Sequence, residues 1–518
     1  MIPSLSIEIT VLLLGILMLL AESFLTTGDR DWLARWAILV LTALVGFSCF
    51  VDPNSGNAFY VVDAPAHFFK VIALISTIVV LVMSLEYKSV IERFVPGSTP
   101  GAGSGEFYSL PVFTCAGLMF MASAVDFLLI FVSLELVTIS FYILVGFMRR
   151  QSASLEAGVK YLILGALSTG FFVYGITWIF GLTGETNLAA IAAALHAKPV
   201  SQAPLLFGIM LLLVGLGFKI AAAPFQLWVP DVYQGAPTPI TAFLSVGSKA
   251  AGFIVLMRVL QPFLTVDGVR EKVLAALAVM AALSLIYGNL TALPQDNLKR
   301  LLAYSSIAHA GYLLVAVASV TATVSTLGAA GTAVAFYLAG YLIMTLLSFL
   351  VMTVVANHSR GDDILHFNGL ARRSPFLAFA MLAAMLSLAG VPFTVGFIGK
   401  FLVFAAAIKA GKFVLVGIGI ITVAAGFYYY LRVVAAMYWN DPGDETKITI
   451  SPLTRLVIGG LTVAIFLFGI FPQPILNGLQ EPRFVVADLG GGFVPIHPPR
   501  PPGVAPSVAV AHVATASR

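Results

Sequence analysis

The chain has 518 residues, 59% hydrophobic and only 10% charged, with a formal net charge of +4. Soluble domains carry about 25% charged residues, so a polar-surfaced globular protein is excluded. The modest, scattered positive charge leaves no nucleic-acid footprint, and the two cysteines, Cys49 and Cys115, stand too far apart for a cluster, haem or zinc site and read as packing residues.

Long apolar runs recur from end to end. A lipid-exposed backbone must satisfy its own hydrogen bonds, so spans are helices or closed barrels. Nothing alternates with period two, which selects helices. The expected fold is an all-α polytopic membrane protein. A window of roughly 20 residues gives about fourteen spans. They fall at about 7–25, 35–51, 65–86, 108–124, 126–147, 158–181, 204–223, 236–260, 272–291, 300–320, 328–355, 376–399, 401–438 and 454–472. The first has no basic stretch before it and no cleavage site, so it reads as a retained helix. Val95 to Glu106 (VPGSTPGAGSGE) reads as a linker, and the Gly/Pro-rich residues 481–518 as a partly disordered tail. The thirteenth span is long for one crossing. It is expected to begin as the continuation of a broken twelfth helix and to straighten after Lys412.

Loops after odd-numbered spans carry most of the basic residues, among them Arg149, Arg150, Lys299, Arg300, Arg372 and Arg373. The other loops carry Lys198, Arg270, Lys272, Lys409 and Lys412. The positive-inside rule places the odd loops in the cytoplasm or its equivalent and both termini on the opposite side, which in a bacterial inner membrane is the periplasm.

Residues 217–253 read GFKIAAAPFQLWVPDVYQGAPTPITAFLSVGSKAAGF. Two lysines, Lys219 and Lys249, lie in apolar spans on either side of Pro224, Pro230, Pro237 and Pro239. A lysine at a helix centre costs roughly 2.5–3.5 kcal/mol, so such residues mark ion or proton movement. Ala222-Ala223-Pro224-Phe225 has a counterpart in Gly390-Val391-Pro392-Phe393, again beside a lysine, Lys400. The two sites are five spans apart, an odd offset that reverses orientation. Paired breaks in inverted halves are a transporter signature.

Glu135, Lys160, Lys219, Lys249, His309 and Lys400 are therefore the candidate proton-transfer residues. Desolvation disfavours a lysine's charged form and a nearby carboxylate restores it, so a lysine whose partner comes and goes is a gated proton carrier. Glu135 with Lys219 would be such a pair. Lys249, His309 and Lys400 would carry the proton onward. Lys160, four residues after Glu156, suits either proton transfer or a side chain snorkelling to the interface. Lys70, Lys409 and Lys412 read as snorkelling, and His67 and His358 as interfacial. Asp126 is expected to cap a helix. Asp231 is expected to cap the short helix after the first break, and Trp178, Trp228 and Trp439 to lie in the interfacial belt. No phosphate-binding loop, HExxH or CxxC occurs. No motif for a flavin, nicotinamide, iron–sulfur cluster or metal is present.

The stretch just quoted, with QDNLKRLLAYSSIAHAGYLL from Gln295 to Leu314, resembles the antiporter-like membrane subunits of respiratory complex I. PDVYQGAPTPITAF is similar to the N branch of that family. The resemblance covers residues 1–480. It implies a subunit that helps translocate protons while other subunits, holding NAD, FMN, iron–sulfur clusters and quinone, carry out NADH oxidation and quinone reduction. It implies two inverted halves, 108–260 (spans four to eight) and 261–440 (spans nine to thirteen), after a three-helix segment 1–107 and before a last span in 441–480. It maps the family's proton-transfer positions onto Glu135, Lys219, Lys249, His309 and Lys400. Gln226 departs from it, since many relatives place a histidine there. The implied partners are other membrane subunits of the complex, above all neighbouring antiporter-like ones, and the lipid bilayer. The alternatives are a cation/proton antiporter without redox partners, and a scaffold whose buried charges only hold helices together.

Overall fold

The computed structural model describes residues 5–24, 30–48, 50, 55–95, 105–197, 200–320, 328–359, 361–442 and 447–479. Cys49, most of the expected linker and the expected tail lie outside them. Three helices, α1 (Ser6–Phe24), α2 (Asp31–Ser48) and α3 (Ala64–Glu86), open the chain, and a short α4 (Lys88–Phe94) follows. Next come α5 (Gly105–Ser123), α6 (Phe127–Val145), α7 (Ser152–Thr183) and α8 (Leu188–Ala197). The central part is α9 (Gln202–Lys219), α10 (Val229–Gly235), α11 (Thr238–Phe243), a π-helical stretch Leu244–Ser248 and α12 (Lys249–Leu260). Then come α13 (Val269–Ala292), α14 (Leu298–Val317), α15 (Gly328–Ser359), α16 (Leu370–Arg373), α17 (Pro375–Ala389), α18 (Val395–Lys409), α19 (Phe413–Trp439), α20 (Pro452–Ile470) and α21 (Gln473–Gly478). A two-residue hairpin, Ser55–Gly56 against Val61–Val62, caps one end of the N-terminal helices.

The chain is an all-helical, multi-pass membrane protein. Twelve described helical stretches are long and apolar enough to cross a membrane, with 238–260 counted as one. α5 and the broken pair α17/α18 lie at two further expected spans. Residues 238–260, α14 and α15 are buried on nearly all sides, while α1, α7 and α20 keep apolar faces open. A helix apolar all round belongs in such a core.

Both breaks fall at the Pro-Phe sequences. α9 stops at Lys219, and Ala221 takes a positive φ of 63°. Pro224 offers no N–H and bars continuation. Pro230 and Pro239 then restart helices at their first turns, where no N–H is needed. In the second break Gly390, at φ 92°, closes α17. α18 restarts at Val395 and runs past Lys400 to Lys409, and α19 starts after Lys412, as expected for the long thirteenth span.

Several expectations are corrected. Gly105 and Glu106 begin α5 instead of continuing a linker, because Glu22 Oε1 accepts from the Gly105 N–H at 2.9 Å. Lys70 does not snorkel: it is 2% exposed and ion-paired with the fully buried Glu8 of α1. Trp228 is not in an interfacial belt. It is buried against Tyr161 and Phe218, and its indole N–H donates to Phe218 O at 3.1 Å. Asp126 caps α6 as expected, accepting from Leu128 N at 2.8 Å. Asp231 makes no cap. It binds Lys160 Nζ at 2.7 Å and Arg300 Nη1 at 2.8 Å.

Candidate proton-transfer path

Lys219 is the last residue of α9, where the helix ends inside the protein and its chain is 5% exposed. Its ammonium donates to Thr138 Oγ1 at 3.1 Å. Thr138 follows Glu135 by three residues on α6, so both side chains share a face. Glu135 accepts from Thr169 Oγ1 of α7 at 2.9 Å. Thr138, Ser168, Thr169 and Lys219 line one small cavity. Lys219 thus lines this cavity with the Thr138 and Thr169 hydroxyls, and Glu135 hydrogen-bonds Thr169 at its wall.

Glu135 is half-buried and belongs to an exposed stripe with Leu128, Val132, Ile139 and Ile143. Behind Lys219, its aliphatic stem passes Gly252 of α12. A Cβ at that glycine would lie 3.4 Å from Lys219 Cγ and 2.9 Å from Ile220 Cγ2. Gly252 is three residues along α12 from Lys249, so the Lys219 stem lies against the first turn of the helix that Lys249 opens.

Lys249 is 1% exposed and opens α12 after the π-helical stretch. Its ammonium donates to both the carbonyl and the hydroxyl of Ser306 on α14, and sits 5.2 Å from the Tyr341 ring centroid. The Ser306 hydroxyl also meets Tyr233 OH at 3.2 Å, and Ser245 meets Tyr341 OH at 2.9 Å. One turn along α14, His309 is bound at both ring nitrogens, by Tyr337 OH at 2.7 Å and Tyr430 OH at 3.2 Å. Tyr430 closes back on Ser305. The Tyr312 ring centroid is 6.4 Å from that of Tyr337 and 5.2 Å from Lys400 Nζ. Lys400 donates to Leu388 O at 2.9 Å and Ala389 O at 2.7 Å, the free carbonyl end of α17.

The structure therefore brings Lys219, Lys249, His309 and Lys400 into one buried polar row, with Glu135 at its edge. Lys160 is not in the row. It is 41% exposed and pairs with Glu156 and Asp231, both at 2.7 Å. Gln226 is buried, and its Oε1 has no hydrogen-bond partner among the described residues. Sequence reasoning missed the hydroxyl groups between the charges: Thr138, Ser306, Tyr337 and Tyr430. Their signal was present in Tyr337 and Tyr341 at i and i+4, and in Ser305-Ser306 a turn before His309. A tyrosine buried among apolar neighbours needs a partner for its hydroxyl.

Residues 124–426 match the family described as NADH:quinone oxidoreductase/Mrp antiporter, TM. The chain belongs to this family. All the proton-transfer candidates lie within the matched NADH:quinone oxidoreductase/Mrp antiporter region. The chain is 39% identical over 474 residues to NADH-quinone oxidoreductase subunit N of Desulforamulus reducens, covering 90% of this chain and 95% of that one. It is 41% identical over 486 residues to the subunit N of Trichlorobacter lovleyi, covering 92% and 95%. Among solved structures it is similar to a chain of respiratory complex I from Thermus thermophilus with bound aureothin, with a TM-score of 0.76 and 32% identity over 91% of this chain and 98% of that one.

Proposed function

We propose that this chain is the N-type, proton-translocating membrane-arm subunit of an NADH:quinone oxidoreductase. The observation that carries the reading is the buried row from Lys219 through Lys249 and His309 to Lys400, with Ser306 against Lys249, and Tyr337 and Tyr430 against His309. Such charges are retained at membrane depth where they serve transport.

Glu135 and Lys219 act as the switch. A carboxylate near the ammonium favours the proton-holding state, and withdrawal or neutralisation of that carboxylate favours release. Lys249 is the central carrier, and Ser306, Tyr430 and His309 relay toward Lys400, the terminal site. Lys160, held by two carboxylates, adjusts the charge near the first break. Residues 108–260 and 261–440 act as two inverted halves, a reading supported by the matching breaks after Lys219 and Ala389.

The basic loops face the cytoplasm and the termini the periplasm. The redox groups (NAD, FMN, iron–sulfur clusters and quinone) are held by other subunits, and this chain supplies proton movement alone. A neighbouring antiporter-like subunit covers the apolar stripe on α6, which would otherwise leave Glu135 facing hydrocarbon. The antiporter alternative is less supported, since the relatives quoted are named as subunit N of a quinone oxidoreductase. Purification of the tagged chain from its own membranes tests the reading. Flavin and iron–sulfur subunits with NADH–quinone activity should co-elute. A stable particle without them, exchanging cations for protons, would contradict it.

A further inference from the structure

A second polar feature lies outside that row. A pocket of ≈ 510 Å³ opens on the side of the basic loops, lined by Asp296, Asp363, Asn368, Arg432 and Asn440 together with apolar residues. At its wall Arg432 Nη1 donates to Leu293 O at 3.2 Å and lies 3.6 Å from Asp296 Oδ1. Its Nε and Nη2 are buried and have no hydrogen-bond partner among the described residues. Buried guanidinium nitrogens are rarely left so, and water is the usual partner.

The pocket floor continues inward on two facing helices. Leu293 and Asn289 are one turn apart on α13, and Arg432 and Tyr429 nearly one turn apart on α19. Arg432 binds Leu293, and Tyr429 OH donates to Asn289 Oδ1 at 3.1 Å. One helical turn is about 5.4 Å, the reach of two hydrogen bonds through one water. Tyr429 packs on Tyr430 with ring centroids 4.4 Å apart, and Tyr430 OH reaches His309 Nε2 at 3.2 Å. Gly426 keeps the space beside this step open. A Cβ there would meet Asn289 Oδ1 at 3.6 Å and Tyr429 OH at 3.7 Å, ordinary contacts that a larger group would exceed.

We infer that this pocket is a proton-uptake vestibule that loads the second half of the row directly at His309, through the Tyr429 and Tyr430 hydroxyls, with Arg432 holding water at the inner wall and keeping its own protons. The step is a transfer of protons only. Water at the inner wall gives a proton to the Tyr429 hydroxyl, which gives its own to the hydrogen-bonded Tyr430 hydroxyl, which gives its own to His309 Nε2, so each oxygen loses one O–H bond as it gains another. The inference rests on the proton-translocating reading and on its orientation, and it adds a second point of uptake far from Glu135 and Lys219.

Single cysteines at Gly426 and Ala435, in the whole assembled complex, test it. A charged, water-soluble methanethiosulfonate is applied to inside-out or right-side-out vesicles, and labelling of this chain is read by mass. Gly426→Cys should be modified from the basic-loop side only, and modification should lower NADH-driven proton pumping several-fold, with recovery on reduction. Ala435→Cys, at the mouth, should behave alike even if the deeper variant assembles poorly. Modification from the opposite side, or full modification of Ala435→Cys with pumping unchanged, would overturn the vestibule. Each modified variant is compared with the same variant unmodified, so failure here is separate from failure of the proton-translocating reading, which would show as no NADH-driven proton pumping by the unaltered complex.

Discussion

At the scale of single residues, the buried cations are held in different ways. Lys400 donates to two free carbonyls at the end of α17. A hydrogen bond to a charged group contributes roughly 1.5–3 kcal/mol. Two of them match the roughly 2.5–3.5 kcal/mol cost of a lysine at membrane depth. Among the described residues Lys400 is thus held by backbone carbonyls and not by a carboxylate. Among the described residues Lys219 hydrogen-bonds the Thr138 hydroxyl alone, which suits the switch proposed for it with Glu135. Arg258 is different again. It is 2% exposed and pairs with the fully buried Asp63 at 2.6 Å, while its Nε donates to Ala122 O at 3.0 Å. This pair ties α3, α5 and α12 together away from the row. Removing one partner of a buried pair costs about 3–5 kcal/mol, whereas replacing both with apolar residues is often neutral. Arg258→Ala should therefore lower the melting temperature of the complex in detergent. Arg258→Met with Asp63→Asn, which removes both charges and keeps an acceptor for the α3 cap at Ala66 N, should recover most of the loss, and a double variant as unstable as the single one would contradict a purely structural pair.

At the scale of elements, the breaks were legible and their surroundings were not. The Pro-Phe repeat located both interruptions, because proline removes a donor whatever surrounds it. The long thirteenth span divided at Lys412 as its length implied. The hydroxyl partners of the lysines were not legible, since a serine or threonine in a helix most often bonds its own backbone, as Ser284 and Thr353 do here. Lys70 was misread for a related reason. Its position near a helix start suits snorkelling, and only the packing of α1 against α3 places Glu8 opposite it. Gly390 shows what the second break demands. It lies at φ 92°, and a Cβ would come within 3.0 Å of Lys400 Cδ and 3.2 Å of its ammonium. A side chain at such a φ costs of order 1–3 kcal/mol. Gly390→Ala should displace Lys400 from its carbonyls. Pumping should fall more than thermal stability does, and a variant with normal pumping would show that the lysine's placement there is unimportant.

At the scale of the whole molecule, composition alone excluded a soluble protein, and the buried lysines around broken helices pointed to proton movement. The proposed row runs from α12 toward α18 by way of α14, whose Ser306 meets Lys249 and whose His309 meets Tyr337 and Tyr430. That continuity depends on tertiary contacts among α12, α14, α15, α18 and α19, which no local pattern specifies. The ratio of protons pumped to electrons transferred, in vesicles carrying assembled Lys219→Ala or Glu135→Ala complexes, tests this most directly. The ratio should fall well below that of the unaltered complex, while NADH oxidation by an artificial acceptor on the soluble subunits persists. An unchanged ratio in both assembled variants would contradict a proton-carrying row that begins at Lys219.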